Sequence, residues 1–142
     1  MKIYVAYSYE LSKDIITKLR SGLVNFNENV FYPESIGVSA DTIKEMDYVS
    51  ETCSNKIMES EILIAIYPFG MSVSIEIGRF LEQKKYYNGK KLIILDMSEK
   101  GSVLFEKLRT EAMLIPHVYK IVRSIEEVVE EVEKILLLQI NR

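Results

Sequence analysis

The 142-residue sequence contains one cysteine, Cys53, one histidine, His117, no tryptophan and three prolines. A lone cysteine excludes an internal disulfide and is too few for a cysteine-based zinc site, which suits a reducing compartment; Cys53 is expected to be a small core residue. With one histidine there are no paired histidine ligands. A serine–histidine triad would have to use His117, at the start of an expected strand, and no nucleophile-elbow sequence accompanies it. Neither a Walker A sequence nor a GxGxxG loop is present, which argues against P-loop phosphoryl transfer and ordinary dinucleotide binding. No metal and no redox cofactor is implied.

Long apolar runs are also missing. None approaches the roughly 20 residues that a membrane-spanning helix requires, and the start MKIYVAY lacks the shape of a signal peptide, so the expectation is a cytoplasmic protein with no membrane partner. Basic residues are not in excess: 18 Lys and Arg stand against 21 Asp and Glu, for a net charge of −3. There is thus no electrostatic reason to expect a nucleic-acid partner.

What is present is a hydrophobic content of 48% with 27% charged residues, enough for one domain, residues 1–142, with a real core. Five β-rich apolar runs occur at Ile3 to Tyr7, Val30 to Tyr32, Ile62 to Tyr67, Leu92 to Asp96 and Val118 to Val122. Helical periodicity fills the gaps. Leu11, Ile15, Ile16, Leu19 and Leu23 share one face, and Ile43, Met46, Val49, Cys53 and Ile57 another. Residues 103–114 predict a shorter helix. The last helix opens with a capping box, Ser124 and Glu127. Alternating strands and helices imply parallel crossovers, so the fold expected is a flavodoxin-like three-layer α/β/α sandwich around a five-stranded parallel sheet of order 2-1-3-4-5. In that order the ligand crevice falls between the first and third strands, walled by Ala6 to Tyr9 and by Tyr67 to Ser74. The segment 33–40 is a connector that could overlie its mouth.

The segment ILIAIYPFGMSVSIEIGR, Ile62 to Arg79, carries the chemistry. Its apolar strand is broken by Pro68 and Gly70, and Ser72 is the expected N-cap of a helix on which Ile75, Ile77, Phe80 and Leu81 follow a helical period. Glu76 then falls in the first turns of that helix, beyond the carboxyl end of a central strand. Ser72, Ser74 and the free N–H groups of the helix start make a candidate cradle for a phosphate or another polar group. Arg79 is placed to bind a phosphate or to pair with Glu76 at i, i+3. Gly78 is expected to permit close helix-to-strand packing, Tyr4 to be structural, and tyrosines at strand ends to stack on a base.

The run YPFGMSVSIEIGRFLEQKK resembles the signature of the nucleoside 2-deoxyribosyltransferase family, including its relatives that hydrolyse 2′-deoxynucleoside 5′-monophosphates. The opening KIYVAYSY is similar to that family's first strand. The resemblance implies cleavage or transfer at an N-glycosidic bond, with Glu76 as the nucleophile that forms a glycosyl ester. It implies that Tyr7, Ser8 and Tyr9 lie in the pocket, with Tyr67, Gly70, Ser72, Ser74 and Arg79 binding a small-molecule nucleoside or nucleotide. It also implies a homodimer. Gly70 and Cys53 stand where transferases of the family carry aspartates. The monophosphate hydrolases share the first of these absences and hold a phosphate with serines and backbone N–H groups, as Ser72 and Ser74 could do here. Asp47, in IKEMD, is the candidate general acid for the departing base.

Two other readings compete. KIYVAYSYE also resembles the opening of Toll/interleukin receptor (TIR) domains, which assemble signalling complexes or cleave NAD, although the tryptophan- or cysteine-rich context before their glutamate is missing. The two missing aspartates also leave open a catalytically inactive nucleotide-binding module.

Overall fold

The computed structural model describes residues 1–8, 13–36 and 41–140. Strand β1 is Ile3–Ala6, β2 Val30–Phe31, β3 Ile62–Tyr67, β4 Lys91–Asp96 and β5 Val118–Val122; the helices are α1 Lys13–Gly22, α2 Ile43–Glu59, α3 Met71–Lys84, α4 Val103–Arg109 and α5 Ile125–Ile140. All strand pairs are parallel and the order is β2-β1-β3-β4-β5. This is the fold read from the alternation of strand and helix patterns. Every residue of β1 and β3 is buried, as expected for central parallel strands covered on both faces.

The period of two along the strands divides the core. Ile3 and Val5 face the layer of α1 and α5, where they meet Leu19, Ile64, Val128 and Val132. Tyr4 and Ala6 face the other layer, with Ile57 of α2, Val73, Ile77 and Phe80 of α3 and Leu108 of α4. Half of the expected capping box forms at the start of α5: the Glu127 N–H donates to Ser124 Oγ at 3.2 Å, while the Glu127 carboxylate accepts from the Ser124 hydroxyl at 3.1 Å rather than from the Ser124 N–H.

Five expectations need correction. The N-cap of α3 is Gly70, not Ser72, because the chain turns helical immediately at Met71 and the Ser74 N–H already bonds Gly70 O at 3.1 Å. The apolar face of α2 is not all core: Ile43 and Met46 are exposed and only its second half, through Cys53 and Ile57, packs inward. Ile75 is likewise exposed on α3, whose buried residues are Val73, Ile77 and Phe80. Gly78 does not approach a strand; a Cβ there would meet nothing within 4 Å. Helix α4 ends at Arg109, short of residue 114, after which the chain passes through turns into a 3-10 segment, Ile115–His117. His117 is exposed, and its carbonyl accepts from Lys84 Nζ at 3.1 Å. The connector after β2 forms a 3-10 turn, Pro33–Ile36, and its remainder, 37–40, lies outside the described residues.

Candidate active site

Strand β3 ends at Tyr67, and the connection Pro68 to Gly70 delivers the chain into α3, so that Glu76 falls in the second turn with its side chain directed at the sheet. There the carboxylate meets a hydroxyl. Tyr4, fully buried in the middle of β1, donates its phenolic O–H to Glu76 Oε2. Burial pushes the Glu76 carboxyl above its ordinary range, and the Tyr4 hydrogen bond and the Arg79 charge offset only part of that. Burial, followed by the adjacent Glu76 charge, pushes the Tyr4 phenol far up as well, so Tyr4 remains a proton donor.

Helix α2 closes the same space. Its half-buried Cys53 packs against the core cluster that contains Tyr4, and the thiol interacts with both Tyr4 and Glu76; burial raises it first of all. The next residue, Ser54, accepts a hydrogen bond from Arg79 Nη1 across the contact between α2 and α3. Glu76, Tyr4, Cys53, Ser54 and Arg79 therefore form one contiguous polar group between β1, α2 and α3, with Arg79 on its exposed side.

The crevice walls also meet as the strand order requires. A Cβ on Gly70 would stand 3.2 Å from Ser8 Oγ, so the end of β1 and the β3–α3 connection are nearly in contact. Ser74 donates from Oγ to Gly70 O at 3.2 Å, while Ser72 and Ser74 are both exposed on the first turn of α3. Because the Ser74 N–H makes the first intrahelical bond, the N–H groups of Met71, Ser72 and Val73 are left for capping or a ligand.

Other residues singled out by the sequence stand apart from this group. Tyr7 belongs to the opposite face of the sheet. It packs on the α1 side and lines a hollow with Ser8, Lys13, Thr17, Arg20 and Glu34. Its buried hydroxyl meets no well-formed hydrogen-bond partner among the described residues, and burial together with the nearby Glu34 charge pushes it above its ordinary range. Tyr67 is buried, and its hydroxyl donates to Leu104 O at 2.6 Å, which ties β3 to α4. Asp47 is exposed on α2. It precedes Ser54 by seven residues, about two turns along the same stripe, and the start of a crossover helix lies at the carboxyl ends of the strands. Tyr9 lies outside the described residues.

Sequence reasoning missed three participants. Tyr4 is expected from the sequence to be structural, yet a tyrosine in the centre of a wholly buried strand must find a partner for its hydroxyl, and that rule is the signal that could have found it. Ser54 carries no local signal. Asp96, the last residue of β4, is a buried acid whose Oδ2 takes Arg109 Nη1 at 2.7 Å and Arg123 Nη1 at 3.0 Å, and whose Oδ1 takes the Ser98 N–H at 2.9 Å. Both guanidinium groups lie over the Phe105 ring, at 3.5 and 4.9 Å from its centroid. This network ties the ends of β4 and β5 to α4 beside Tyr67.

Among the described residues no cluster of side chains suits a metal ion, and no helix is long and apolar enough to cross a membrane. No protein-family model matches the sequence, and comparison with curated proteins finds no relative. Solved structures do resemble it. A 2-deoxyribosyltransferase from the psychrotolerant bacterium Bacillus psychrosaccharolyticus superposes with a TM-score of 0.70 at 15% identity, covering 91% of this chain and 90% of the other. The CMP N-glycosidase BcmB of Clostridium botulinum gives 0.56 at 22% identity, with coverage of 94% and 98%. A conserved protein from Enterococcus faecalis gives 0.60 at 17% identity, again covering 94% and 98%. Over nearly its whole length, the chain has the α/β fold of a 2-deoxyribosyltransferase and of a nucleotide N-glycosidase.

Proposed function

We propose that this protein breaks or transfers the N-glycosidic bond of a 2′-deoxynucleoside or its 5′-monophosphate, with Glu76 as the nucleophile. The observation that carries this reading is the hydrogen bond from the buried Tyr4 hydroxyl to Glu76. A half-buried carboxylate held by a single neutral donor keeps its second oxygen available to attack. In this reading Glu76 attacks the anomeric carbon, and the C–N bond breaks with its electron pair passing to the base nitrogen. A proton on the base makes it a better leaving group, and Asp47, exposed on α2, is the proposed donor. Water or a second base then attacks the same carbon and Glu76 departs as a carboxylate.

The substrate would lie over the carboxyl ends of β1 and β3, beside Ser8 and Gly70. A 5′-phosphate would lie on Ser72, Ser74 and the open N–H groups of α3. Tyr7, Ser8, Tyr9 and Tyr67 are read as the aromatic and polar surroundings of the sugar and base. The protein is also proposed to act as a homodimer. Apolar Ile43 and Met46 of α2 and Met71 and Ile75 of α3 are exposed, and light scattering would report the assembly.

The deciding experiment incubates wild-type and Glu76→Gln protein with deoxynucleosides, their 5′-monophosphates, CMP and NAD, with and without an acceptor base, and measures free base by chromatography. Base release by wild type that is lost in Glu76→Gln is the expected result, and a variant keeping more than about a tenth of the activity would remove Glu76 from the nucleophile role. Nicotinamide release would favour the NAD-cleaving reading. Thermal stabilisation by nucleotides without any release would favour a binding module.

A further inference from the structure

Arg79 has two possible uses in such a site, and the geometry separates them. The open end of α3, where Ser72 and Ser74 stand, is the place for a phosphate. Arg79 follows Ser72 by seven residues, which puts its Cα about 10 Å further along the helix axis. It is one turn beyond Glu76 on the same side of the helix, and its guanidinium already donates to Ser54 on α2. The cation is thus stationed at the level of the carboxylate.

We propose that Arg79, fastened to Ser54 across the α2–α3 contact, is a positioning residue that holds Glu76 as a ready anion, and is not a phosphate-binding residue. The proposal rests on Glu76 being the working carboxylate. The groups facing that carboxylate are the Tyr4 hydroxyl from β1, the Cys53 thiol from α2 and the Arg79 guanidinium from α3 itself. Tyr4 is neutral and Cys53 resists ionisation because it is buried, so Arg79 is the positive charge in this group. A half-buried carboxylate loses much of its hydration, and an opposite charge beside it restores part of that stabilisation. Ser54 is what keeps a long, otherwise solvated side chain at that post.

Cys53 offers a reporter that does not depend on catalysis. It is the sole cysteine of the chain, and the Glu76 and Arg79 charges act on it in opposite directions. The experiment measures the pH dependence of Cys53 alkylation by iodoacetamide, and of base release from a deoxynucleoside and its monophosphate, in wild type, Arg79→Gln, Arg79→Lys, Ser54→Ala and Glu76→Gln. In Arg79→Gln the alkylation profile should move to higher pH, and in Glu76→Gln to lower pH. Arg79→Lys should stay near wild type, and Ser54→Ala should fall between wild type and Arg79→Gln. Base release by Arg79→Gln should drop about three- to tenfold at the acid end yet stay within about twofold on the alkaline plateau, the modest size reflecting a solvent-screened cation.

An alkylation profile that does not move in Arg79→Gln overturns the proposal. So does an unmoved acid limb of activity, or a rise in KM confined to the monophosphate, which would return Arg79 to the phosphate. If wild type releases no base at all, the glycosidic reading fails on its own, and the alkylation profiles still decide whether the Arg79 charge stands in the group formed by Cys53 and Glu76.

Discussion

The phenolic hydroxyl of Tyr4, with no exposed surface of its own, donates to the carboxylate of Glu76 across 72 residues of sequence. A hydrogen bond to a charged group is worth about 1.5–3 kcal/mol. Tyr4→Phe should therefore lower the rate of base release by about 10- to 150-fold, with the acid limb of the pH profile moved to higher pH because Glu76 loses a donor that favours its ionised form. Rate against pH for wild type and variant checks both parts. An unchanged profile would reduce Tyr4 to a packing residue.

Glu76 works against the stability of the fold. Burial raises its carboxyl above the unfolded value, so the folded protein binds the proton more tightly than the unfolded chain does. Stability is then lost as the pH rises from the unfolded toward the folded value, and the loss is complete above it. Glu76→Gln should consequently melt at a higher temperature than wild type at about pH 8, and the gap should close toward about pH 4. A variant less stable than wild type at every pH would mean that Glu76 is primarily a structural partner of Tyr4.

Ser72 and Ser74 can be tested as a pair. If the first turn of α3 holds a 5′-phosphate, the double change Ser72→Ala and Ser74→Ala should raise KM for monophosphates more than for nucleosides. A several-fold difference is expected because each lost hydroxyl removes one hydrogen bond to a charged group. Equal effects on the two substrate classes would eliminate the cradle.

Asp96 predicts an acid-sensitive wall. Burial alone would raise its carboxyl, but the hydrogen bonds from Ser98 and Arg109 outweigh it and hold the group below the usual carboxylate range. Such a group contributes stability above the unfolded value, and that contribution disappears as the pH falls through the folded one. Asp96→Ala should cost about 3–5 kcal/mol at neutral pH, since it leaves Arg109 and Arg123 without their shared anion, and it should flatten the acid side of the stability curve. Urea unfolding from about pH 7 to pH 3 measures both. A cost below about 1 kcal/mol would show that the network is ornamental.

Much of the architecture was legible because it depends on short-range patterns. The apolar runs of β1 and β3 are continuous, as both faces of a central parallel strand must be dry, and the gaps between runs carry helical periodicity. The pattern also places Glu76 early on the helix after β3. It misleads where burial is unequal along a helix. The stripe on α2 continues out to Ile43 and Met46, beyond the part that packs inward through Cys53 and Ile57, and periodicity cannot register where a neighbour stops. Capping propensity favours Ser72, two residues beyond the observed N-cap at Gly70, while backbone geometry alone starts the helix at Met71.

The sequence by itself determined the strand order, the helix between β3 and β4, and the carboxylate upon it, since hydrophobic periodicity and chain connectivity are enough to specify a parallel α/β sheet. Only the tertiary structure decided what surrounds that carboxylate. Tyr4, Cys53 and Ser54 reach Glu76 and Arg79 from β1 and α2, and Tyr7 is turned to the opposite face. Those meetings depend on the pleat of one strand and the packing of two helices, which are long-range relations that no local pattern encodes.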